Sequence, residues 1–441
     1  MNKIEVGFGR KLITPPLGTP VSGYYEERYA SGVLDDLYVN AVAFSDGEKK
    51  TLVISLEIVD LSVETSDAFR KLISEYCGLP TEAILLNCTH THTGPEVDAV
   101  EEYKNFLGIQ TRDAAATAIA DLKPAKLSVA TGKAEGISFV RRFRMKNGNV
   151  QTNPGVDNPE VDHALGVPNE TVKLVKCERE GADDVYIVNF GVHADSVGGD
   201  MISGDYPGFV VSTVEKALDN VKCIFLTAPQ GDVNHINPFP NAGDRCGLEY
   251  DTFDGVPRGY EHAKHMGRVI AGAVLQICGK TEYIENVKIS YAKKETRLPA
   301  HQENDRLDEA RKIYELHTSG RDDLIPFEKM ELTTVVAEAK RIVVLENGPE
   351  FFEFSVGAIS IGDIVFCAVP GEMFTEVGNE VCSKSSYKMT LVCCLSNGGE
   401  TYFPTTKAYS EGGYEARSSR LAPGYDEILI RDTIELFDSI K

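Results

Sequence analysis

The sequence predicts an α/β protein in which stacked mixed and parallel β-sheets are flanked by helices, an αββα-like arrangement. Runs of apolar, β-branched residues alternate along the chain with helical patterns, as expected when helices cover a sheet. The apolar runs are nearly continuous, which is typical of strands that are buried on both faces. The predicted strands are residues 51–61, 83–90, 185–193, 222–232, 359–372 and 389–398.

Helical patterns separate several of these strands. Residues 62–78 begin at Ser62, a good N-terminal capping residue, and end at a glycine, so we predict a helix there. Residues 206–220 occupy the same position before the next strand. The segment at about 302–345 differs, because it predicts a helical excursion from the sheets. Its apolar positions, spaced three residues apart, are Leu307, Ala310, Ile313 and Leu316.

Composition excludes several classes of function. The net charge of −22 argues against a nucleic-acid partner, because phosphate binding requires basic patches. No apolar run is long enough for a signal peptide or a membrane-spanning helix, so we expect no stable membrane insertion. The ten cysteines are scattered without a CxxC pair, which favours a reduced, cytoplasmic protein. The sequence does not specify an oligomeric state.

Two histidines stand one residue apart in NCTHTHTGPE, where a predicted strand ends. Strand side chains alternate, so His90 and His92 could share one face and point into the crevice where α/β sheets place their ligands. Histidine is a common zinc ligand, so this pair is a candidate metal site. The alternative is a pair of hydrogen-bonded loop histidines.

The same pattern recurs at two other strand ends. His193 follows VYIVNFGV, and Glu372 follows ISIGDIVFCAVPG. Two histidines and a carboxylate are a common catalytic zinc set. The alternatives are that a backbone carbonyl satisfies His193 and that Glu372 caps the following helix.

A glycine-rich loop with three tyrosines, SNGGETYFPTTKAYSEGGYEA, follows the last predicted strand. Tyrosines in such a loop often serve only for packing. Here Tyr402, Tyr409 and Tyr414 lie in the segment that the other strand ends would surround.

Taken in order, these motifs resemble the catalytic domain of the neutral, non-lysosomal ceramidase family. The resemblance covers nearly the whole chain, from ITPP at residues 13–16 to the tyrosine loop. Members of that family are zinc amidases that hydrolyse the N-acyl bond of ceramide, so the resemblance implies one Zn²⁺ per chain. The motifs are THTHTGP, VHADS, SGDYPG, GDVN, PGEMF and a tyrosine pair with eleven intervening residues followed by glutamate.

The resemblance also implies roles for single residues. His92 would face the substrate near the metal and transfer a proton, while Tyr414 and Arg141 would stabilise the developing oxyanion. Arg142 is the second choice for the arginine position. Asp232 and Asp205 are candidates to orient the ligand histidines. The implied zinc ligands are His90, His193, Glu372 and Tyr402.

The sequence departs from the family in two respects. Asn234 stands where the family has a serine that is sometimes assigned as nucleophile. Asparagine cannot form an acyl-enzyme, so we expect a metal-activated water to attack and Asn234 to hydrogen-bond the substrate or the water. The family's ceramide-active members also carry a C-terminal β-domain and usually an export signal. The sequence shows neither, so we expect a soluble or small N-acyl substrate.

We therefore expect a zinc-dependent amide hydrolase, with residues 1–441 forming one catalytic domain because the candidate site residues are spread along the whole chain. Two alternatives remain open. One is a metal-dependent ester or phosphoester hydrolase, and the other is a zinc-binding relative without catalytic activity. Imidazole–carboxylate sites accept several divalent ions, so the metal is a prediction as well.

Overall fold

A computed structural model of the protein describes residues 4–245, 247–251, 255–303 and 305–441. The strands in chain order are β1 (Ile4–Leu12), β2 (Gly32–Val33), β3 (Tyr38–Ser45), β4 (Lys50–Leu56), β5 (Ile84–Cys88), β6 (Lys123–Lys133), β7 (Phe139–Val140), β8 (Arg142–Met145), β9 (Val150–Thr152), β10 (Val161–Ala164), β11 (Thr171–Arg179), β12 (Asp184–Phe190), β13 (Met201–Ile202), β14 (Val221–Thr227), β15 (Val233–Asn234), β16 (Tyr250–Asp251), β17 (Pro257–Arg258), β18 (Glu282–Tyr283), β19 (Ile289–Pro299), β20 (Phe351–Ile361), β21 (Ile364–Ala368), β22 (Glu372–Met373), β23 (Met389–Cys393) and β24 (Tyr402–Phe403). The helices are α1 (Val63–Cys77), α2 (Glu101–Ala120), α3 (Asp205–Ala217), α4 (Tyr260–Ile277), α5 (Leu307–Thr318), α6 (Lys329–Leu345), α7 (Thr375–Lys384), α8 (Thr406–Glu411), α9 (Tyr414–Ser418) and α10 (Tyr425–Ile440).

Two mixed sheets carry most of these strands. The larger has the order β14-β12-β11-β6-β1-β3-β4-β5, with β18 paired to β6, and the smaller has the order β19-β20-β21-β23. Within the described parts of these two sheets, three neighbouring pairs are parallel, namely β4 with β5, β12 with β14 and β21 with β23. A helix joins the two strands of each parallel pair, as a parallel connection requires.

The sheets stack face to face and helices cover their outer faces. One buried cluster joins Val53 and Ile187 of the larger sheet to Ile359 and Phe366 of the smaller one. Helices α1 and α2 cover one half of the larger sheet, α3 and α4 cover the other half, and α7 and α10 cover the smaller sheet. Strand β4 is thus buried on both sides from Thr51 to Leu56, which is why most of its residues are apolar. The predicted αββα-like architecture is confirmed.

The predicted helical excursion is present as α5 and α6. These two helices lie between β19 and β20, which pair antiparallel over their full length from Ile289 opposite Ile361 to Pro299 opposite Phe351. Arg417 attaches the excursion to the tyrosine loop, because its Nη2 lies 2.7 Å from Glu338 on α6. None of the helices in the described ranges combines the length and the apolar character needed to cross a bilayer.

A buried amide connects the strand ends on which the candidate site is built. The Asn87 side chain accepts a hydrogen bond from the Thr227 backbone N–H at 2.9 Å and donates one to the Cys394 carbonyl at 2.6 Å. It therefore joins the carboxyl ends of β5, β14 and β23. Residues that follow these strands emerge close together, as α/β folds require of a binding crevice.

The buried carboxyl group of Glu57 should make stability depend on pH. Burial raises its pKa from 4.5 to about 8, and Asp35 and Glu215 add to this effect against the attraction of Arg10. The folded state thus binds the proton more tightly than the unfolded chain does. The free energy of unfolding should therefore fall as the pH rises from 4.5 to about 8.

Urea unfolding of the wild type and of Glu57→Gln at several pH values within this interval measures the effect. The variant should lose less stability with rising pH, by up to about 1.4 kcal/mol for each pKa unit of the original shift. Asp205, whose pKa burial raises to about 7, should leave a residual slope in both proteins. Parallel curves for the two proteins would show that Glu57 ionises normally in the fold.

Candidate active site

Three buried histidines converge at the carboxyl ends of the strands. The Nε2 atom of His90 lies 3.1 Å from Nε2 of His193 and 3.3 Å from Nε2 of His92. The candidate ligand atoms of the three side chains all lie within 4.8 Å of one another. The Oε2 atom of Glu372 lies 3.3 Å from Nε2 of His90. The structure thus brings together four residues that the sequence singled out on three separate segments.

His90 and His92 are positioned by a turn. They are not positioned by the alternation of side chains along a strand, as the sequence predicted. Strand β5 ends at Cys88, and His90 has a φ of 71°, a left-handed conformation that is uncommon outside glycine. The His90 N–H donates to the Ile58 carbonyl, and the His92 N–H donates to the Ala194 carbonyl. These two contacts direct both imidazoles inward. The prediction of two histidines in one crevice is right, but its stated geometry is wrong.

The second ring nitrogens determine which tautomers the histidines adopt. Nδ1 of His90 lies 3.0 Å from the Val59 carbonyl oxygen, and Nδ1 of His193 lies 2.5 Å from Oε1 of Gln230. These oxygens only accept, so both Nδ1 atoms carry a proton, and in the neutral imidazoles both Nε2 atoms present a lone pair. Two lone pairs that face each other at 3.1 Å repel unless a cation or a proton lies between them. This arrangement fits a metal site in which outer contacts orient the ligands.

The spacing of the donors also fits a metal. Ligands bound about 2.0–2.1 Å from a tetrahedral zinc ion are about 3.3 Å from one another. The separations of 3.1 and 3.3 Å between His90 and its neighbours are close to this value. Imidazole and carboxylate together suit zinc and several other divalent ions. The buried histidine group therefore has a composition and a size that can hold a metal ion.

The charges in the group are mutually stabilised. Burial alone would lower the pKa of His90, but the carboxylate of Glu372 raises it above the usual value. Burial likewise tends to raise the pKa of Glu372, and His90 together with Arg141 lowers it below the usual range. Burial lowers the pKa of His193 far below normal, with a further contribution from Arg141. Glu372 therefore remains ionised next to a neutral His193.

Short parallel bridges place Tyr402 beside Glu372. Strands β22 and β24 pair in parallel with Glu372 opposite Tyr402, so the two side chains are neighbours. The Tyr402 hydroxyl accepts a hydrogen bond from Nη2 of Arg141 at 3.2 Å. Burial raises the pKa of Tyr402 well above normal. Tyr402 thus lines the same cavity as the histidines, with its oxygen held by a guanidinium.

A buried ion-pair network fixes Arg141. Its Nε lies 2.6 Å from Oε1 of Glu415, a residue without solvent exposure, and its Nη2 donates to the Gly231 carbonyl at 2.8 Å. Arg142 lies 3.8 Å from the other carboxylate oxygen, and Thr152 donates to that oxygen at 2.8 Å. Arg141 lines the cavity, whereas Arg142 contacts the helix at residues 406–411. Arg141, the preferred candidate for the arginine position, therefore lies where a site residue is expected.

Tyr414 faces the cavity next to Tyr402. The two rings are 5.5 Å apart in an edge-to-face arrangement. The hydroxyl of Tyr414 lies near that of Tyr25, and burial raises the pKa of Tyr414 well above normal. Tyr409 lies elsewhere, because its hydroxyl contacts Ser419. The loop thus presents two tyrosines to the cavity.

Asn234 does not line the cavity that contains the histidines. Its side-chain nitrogen donates to Oδ1 of Asn153 at 2.7 Å, and its own Oδ1 accepts from the Ile236 backbone. Asn153 is the amide that reaches the cavity. Asn234, the residue that the sequence aligned with the serine of the family motif, therefore holds the side chain of Asn153.

The two aspartates expected behind the histidines have other partners. Oδ1 of Asp232 accepts from the backbone and hydroxyl of Thr375 and so caps α7. Oδ2 of Asp205 accepts from the Ser196 and Val197 backbones. Gln230 orients His193 instead. Its role depends on tertiary packing, which the sequence pattern does not reveal.

Sequence reasoning also missed Asp195, although it lies within the VHADS motif. Its Oδ1 is 3.7 Å from Nδ1 of His92, and the Tyr24 hydroxyl donates to it at 2.5 Å. Burial would raise the pKa of Asp195, but the guanidinium of Arg258, 2.6 Å from Oδ2, holds it well below normal. Burial lowers the pKa of His92 to about 3. His92 is therefore a neutral imidazole next to a permanent carboxylate.

The site opens into a cavity of about 200 Å³ that is accessible from solvent. Asp60 and Tyr25 contribute to its wall and were not among the predicted site residues. Asp60 follows β4 as the histidines follow their strands, so the strand-end signal applied to it as well. Burial raises its pKa to about 7.

Two solved structures resemble this chain over its whole length. Neutral ceramidase from Pseudomonas aeruginosa superimposes with a TM-score of 0.72 at 15% identity, covering 100% of this chain and 75% of that chain. The chain has the neutral ceramidase fold. A structure described as ceramidase complexed with C2 gives a TM-score of 0.73 at 15% identity, covering 100% of this chain and 76% of that one. The resemblance drawn from the motifs is confirmed at the level of the fold.

No protein-family model matches the chain, and no curated protein matches it. The resemblance to neutral ceramidase therefore rests on the ordered motifs and on the fold, and not on overall sequence similarity.

Proposed function

We propose that this protein is a metal-dependent amide hydrolase that acts on N-acyl compounds. The observation that carries the proposal is the convergence of three histidine Nε2 atoms with Glu372 at the wall of a cavity. In the proposal His90, His193 and Glu372 hold one Zn²⁺, with Tyr402 as the fourth ligand. When bound, such an ion supplies Lewis acidity and lowers the pKa of a coordinated water toward about 7.

His92 is the group proposed to transfer protons. In the proposal Nε2 of His92 takes a proton from the attacking water, while Asp195, 3.7 Å from Nδ1, stabilises the cation that results. The water oxygen bonds to the acyl carbon, the carbon–nitrogen bond breaks, and the proton passes from His92 to the departing amine.

Tyr414 and Arg141 are proposed to stabilise the oxyanion that develops on the acyl oxygen. Both line the cavity, where Tyr414 lies beside Tyr25 and Arg141 is held by Glu415 behind the wall. Such preorganised donors each contribute about 3 kcal/mol to transition-state stabilisation. Asn153, supported by Asn234, can bind a polar group of the substrate from the same wall.

Phosphoester hydrolysis is the weaker alternative. Two-metal phosphoesterases hold two ions about 3.5–4 Å apart with bridging carboxylates. Among the described residues, the ion pairs of the histidine group involve two carboxylates, Glu372 and Asp195, and Arg258 neutralises Asp195. The donor set therefore favours one ion.

A cytoplasmic location and a single domain over residues 1–441 stay predictions that accompany the proposal.

Metal analysis combined with a substrate panel tests the function. The purified chain should contain one metal ion and hydrolyse N-acyl amines in preference to matched esters and phosphodiesters. Dialysis against a chelator should remove the activity, and added Zn²⁺ should restore it. A chain that binds one ion and hydrolyses none of the amides would instead be a non-catalytic metal-binding protein, and two ions with phosphodiester cleavage would favour the alternative enzyme.

A further inference from the structure

A second, larger cavity adjoins the candidate active site. Its volume is about 570 Å³, and it shares part of its wall with the cavity that contains the histidines. The shared residues are Tyr25, Asp60, Glu372, Tyr402 and Tyr414. The two spaces therefore meet beside the proposed metal ligands. We refer to the larger space as the side cavity.

One face of helix α6 forms a wall common to both spaces. Thr333 lines the active-site cavity, and Ala337, Lys340 and Val344 line the side cavity. The spacing of three and four residues places these side chains along one stripe of the helix. At about 1.5 Å of rise per residue, Lys340 lies about 10 Å along the wall from Thr333. A substrate that extends from the metal ligands into the side cavity would pass along this stripe.

Most charged groups around the side cavity already have partners. Arg420 pairs with Glu400 at 2.9 Å, and Arg341 pairs with Glu303 at 2.9 Å. Glu372 lies beside His90. The remaining acid in the wall is Asp60, which forms no ion pair with Lys340 in the described residues.

Lys340 differs from these groups. In the part of the chain that the structure describes, it forms no ion pair with a carboxylate, although the protein carries a net charge of −22. An exposed ammonium on the wall of a cavity is therefore available to a ligand. A carboxylate on the substrate would provide the missing counter-charge.

We propose that the substrate is an N-acyl compound with a carboxylate several bonds from the amide, and that Lys340 binds this carboxylate in the side cavity. The inference rests on the proposed amide hydrolysis and defines its substrate class. A charge-assisted contact of this kind discriminates by about tenfold between a charged compound and its uncharged analogue. The carboxylate belongs either to the acyl half or to the amine half of the substrate, according to which half occupies the side cavity.

Two matched pairs of substrates distinguish these halves. N-glutaryl and N-pentanoyl para-nitroanilide differ by a carboxylate on the acyl half, and N-acetyl-aminovalerate and N-acetylpentylamine differ by one on the amine half. In one of the pairs the ratio of kcat/KM for the charged over the uncharged compound should be about ten at low salt. In Lys340→Met this ratio should fall to about one. Added salt should lower the wild-type ratio, because it screens the ammonium.

Lys312→Met is the matched control, since it removes the same charge from the exposed surface of α5, away from both cavities. Its ratio should equal that of the wild type. A ratio near one in both pairs would overturn the inference and leave the amidase function intact. A preference that Lys340→Met retains would remove Lys340 from substrate recognition. No hydrolysis of any of the four amides would instead overturn the proposed function itself.

Discussion

Replacing His193 with alanine should abolish metal binding and reduce amide hydrolysis by at least about 1000-fold, because a bound metal contributes several kcal/mol to such a reaction. The reason lies in the facing lone pairs. Nε2 of His193 is 3.1 Å from Nε2 of His90, and a cation between them relieves their repulsion. Without one of the two imidazoles, the remaining donors no longer enclose an ion.

Metal content measured by mass spectrometry, together with the rate on N-acyl amines, tests this expectation. His163→Ala is the matched control, because His163 is exposed and pairs with the neighbouring Asp162. It should retain one ion per chain and the wild-type rate. A His193→Ala protein that holds its metal as tightly as the wild type would contradict the assignment, whatever its activity.

Replacing Glu415 with alanine should lower the free energy of unfolding by about 3–5 kcal/mol, since it leaves the buried guanidinium of Arg141 without its paired carboxylate. Glu415 has no solvent exposure, and its two oxygens face Arg141 at 2.6 Å and Arg142 at 3.8 Å. Both arginine side chains are themselves almost fully buried. Water cannot replace the lost carboxylate, so the cost is that of an uncompensated buried charge.

Equilibrium unfolding in urea at neutral pH measures this loss. Glu415→Gln should cost less, because an amide oxygen can still accept from Thr152. Glu380→Ala removes an exposed acid paired with Lys384 at 2.8 Å, and it should change stability by less than about 1 kcal/mol. If Glu415→Ala were as mild as this control, the network would not be a significant source of stability.

The local sequence was sufficient to predict the layers and most of the residues at the site. Continuous apolar runs revealed strands that are covered on both faces, such as β4 and β5. His90, His193 and Glu372 follow such runs directly. They were predicted as site residues because α/β proteins commonly bind ligands beside the carboxyl ends of their strands. This inference needed only the chain order and the burial of the strands.

Other features depend on contacts between distant segments, which no local pattern contains. Gln230 was missed because its contact with His193 arises only when the loop after β14 packs beside the end of β12. The position of Asn234 was predictable, but its side chain turns toward Asn153 and away from the cavity. The helical pattern over residues 302–345 predicted an excursion from the sheets without revealing that Arg417, just after the tyrosine loop, would pair with Glu338 on α6.

The location of α5 and α6 within a hairpin has an evolutionary consequence. Strands β19 and β20 pair along their whole length, so the segment between Pro299 and Phe351 leaves and re-enters the sheet at adjacent positions. A different insertion could therefore replace it without disturbing the sheet, and none of the proposed metal ligands would be lost. Substrate preference in proteins of this architecture can thus diversify by exchange of one module while the chemistry is inherited unchanged.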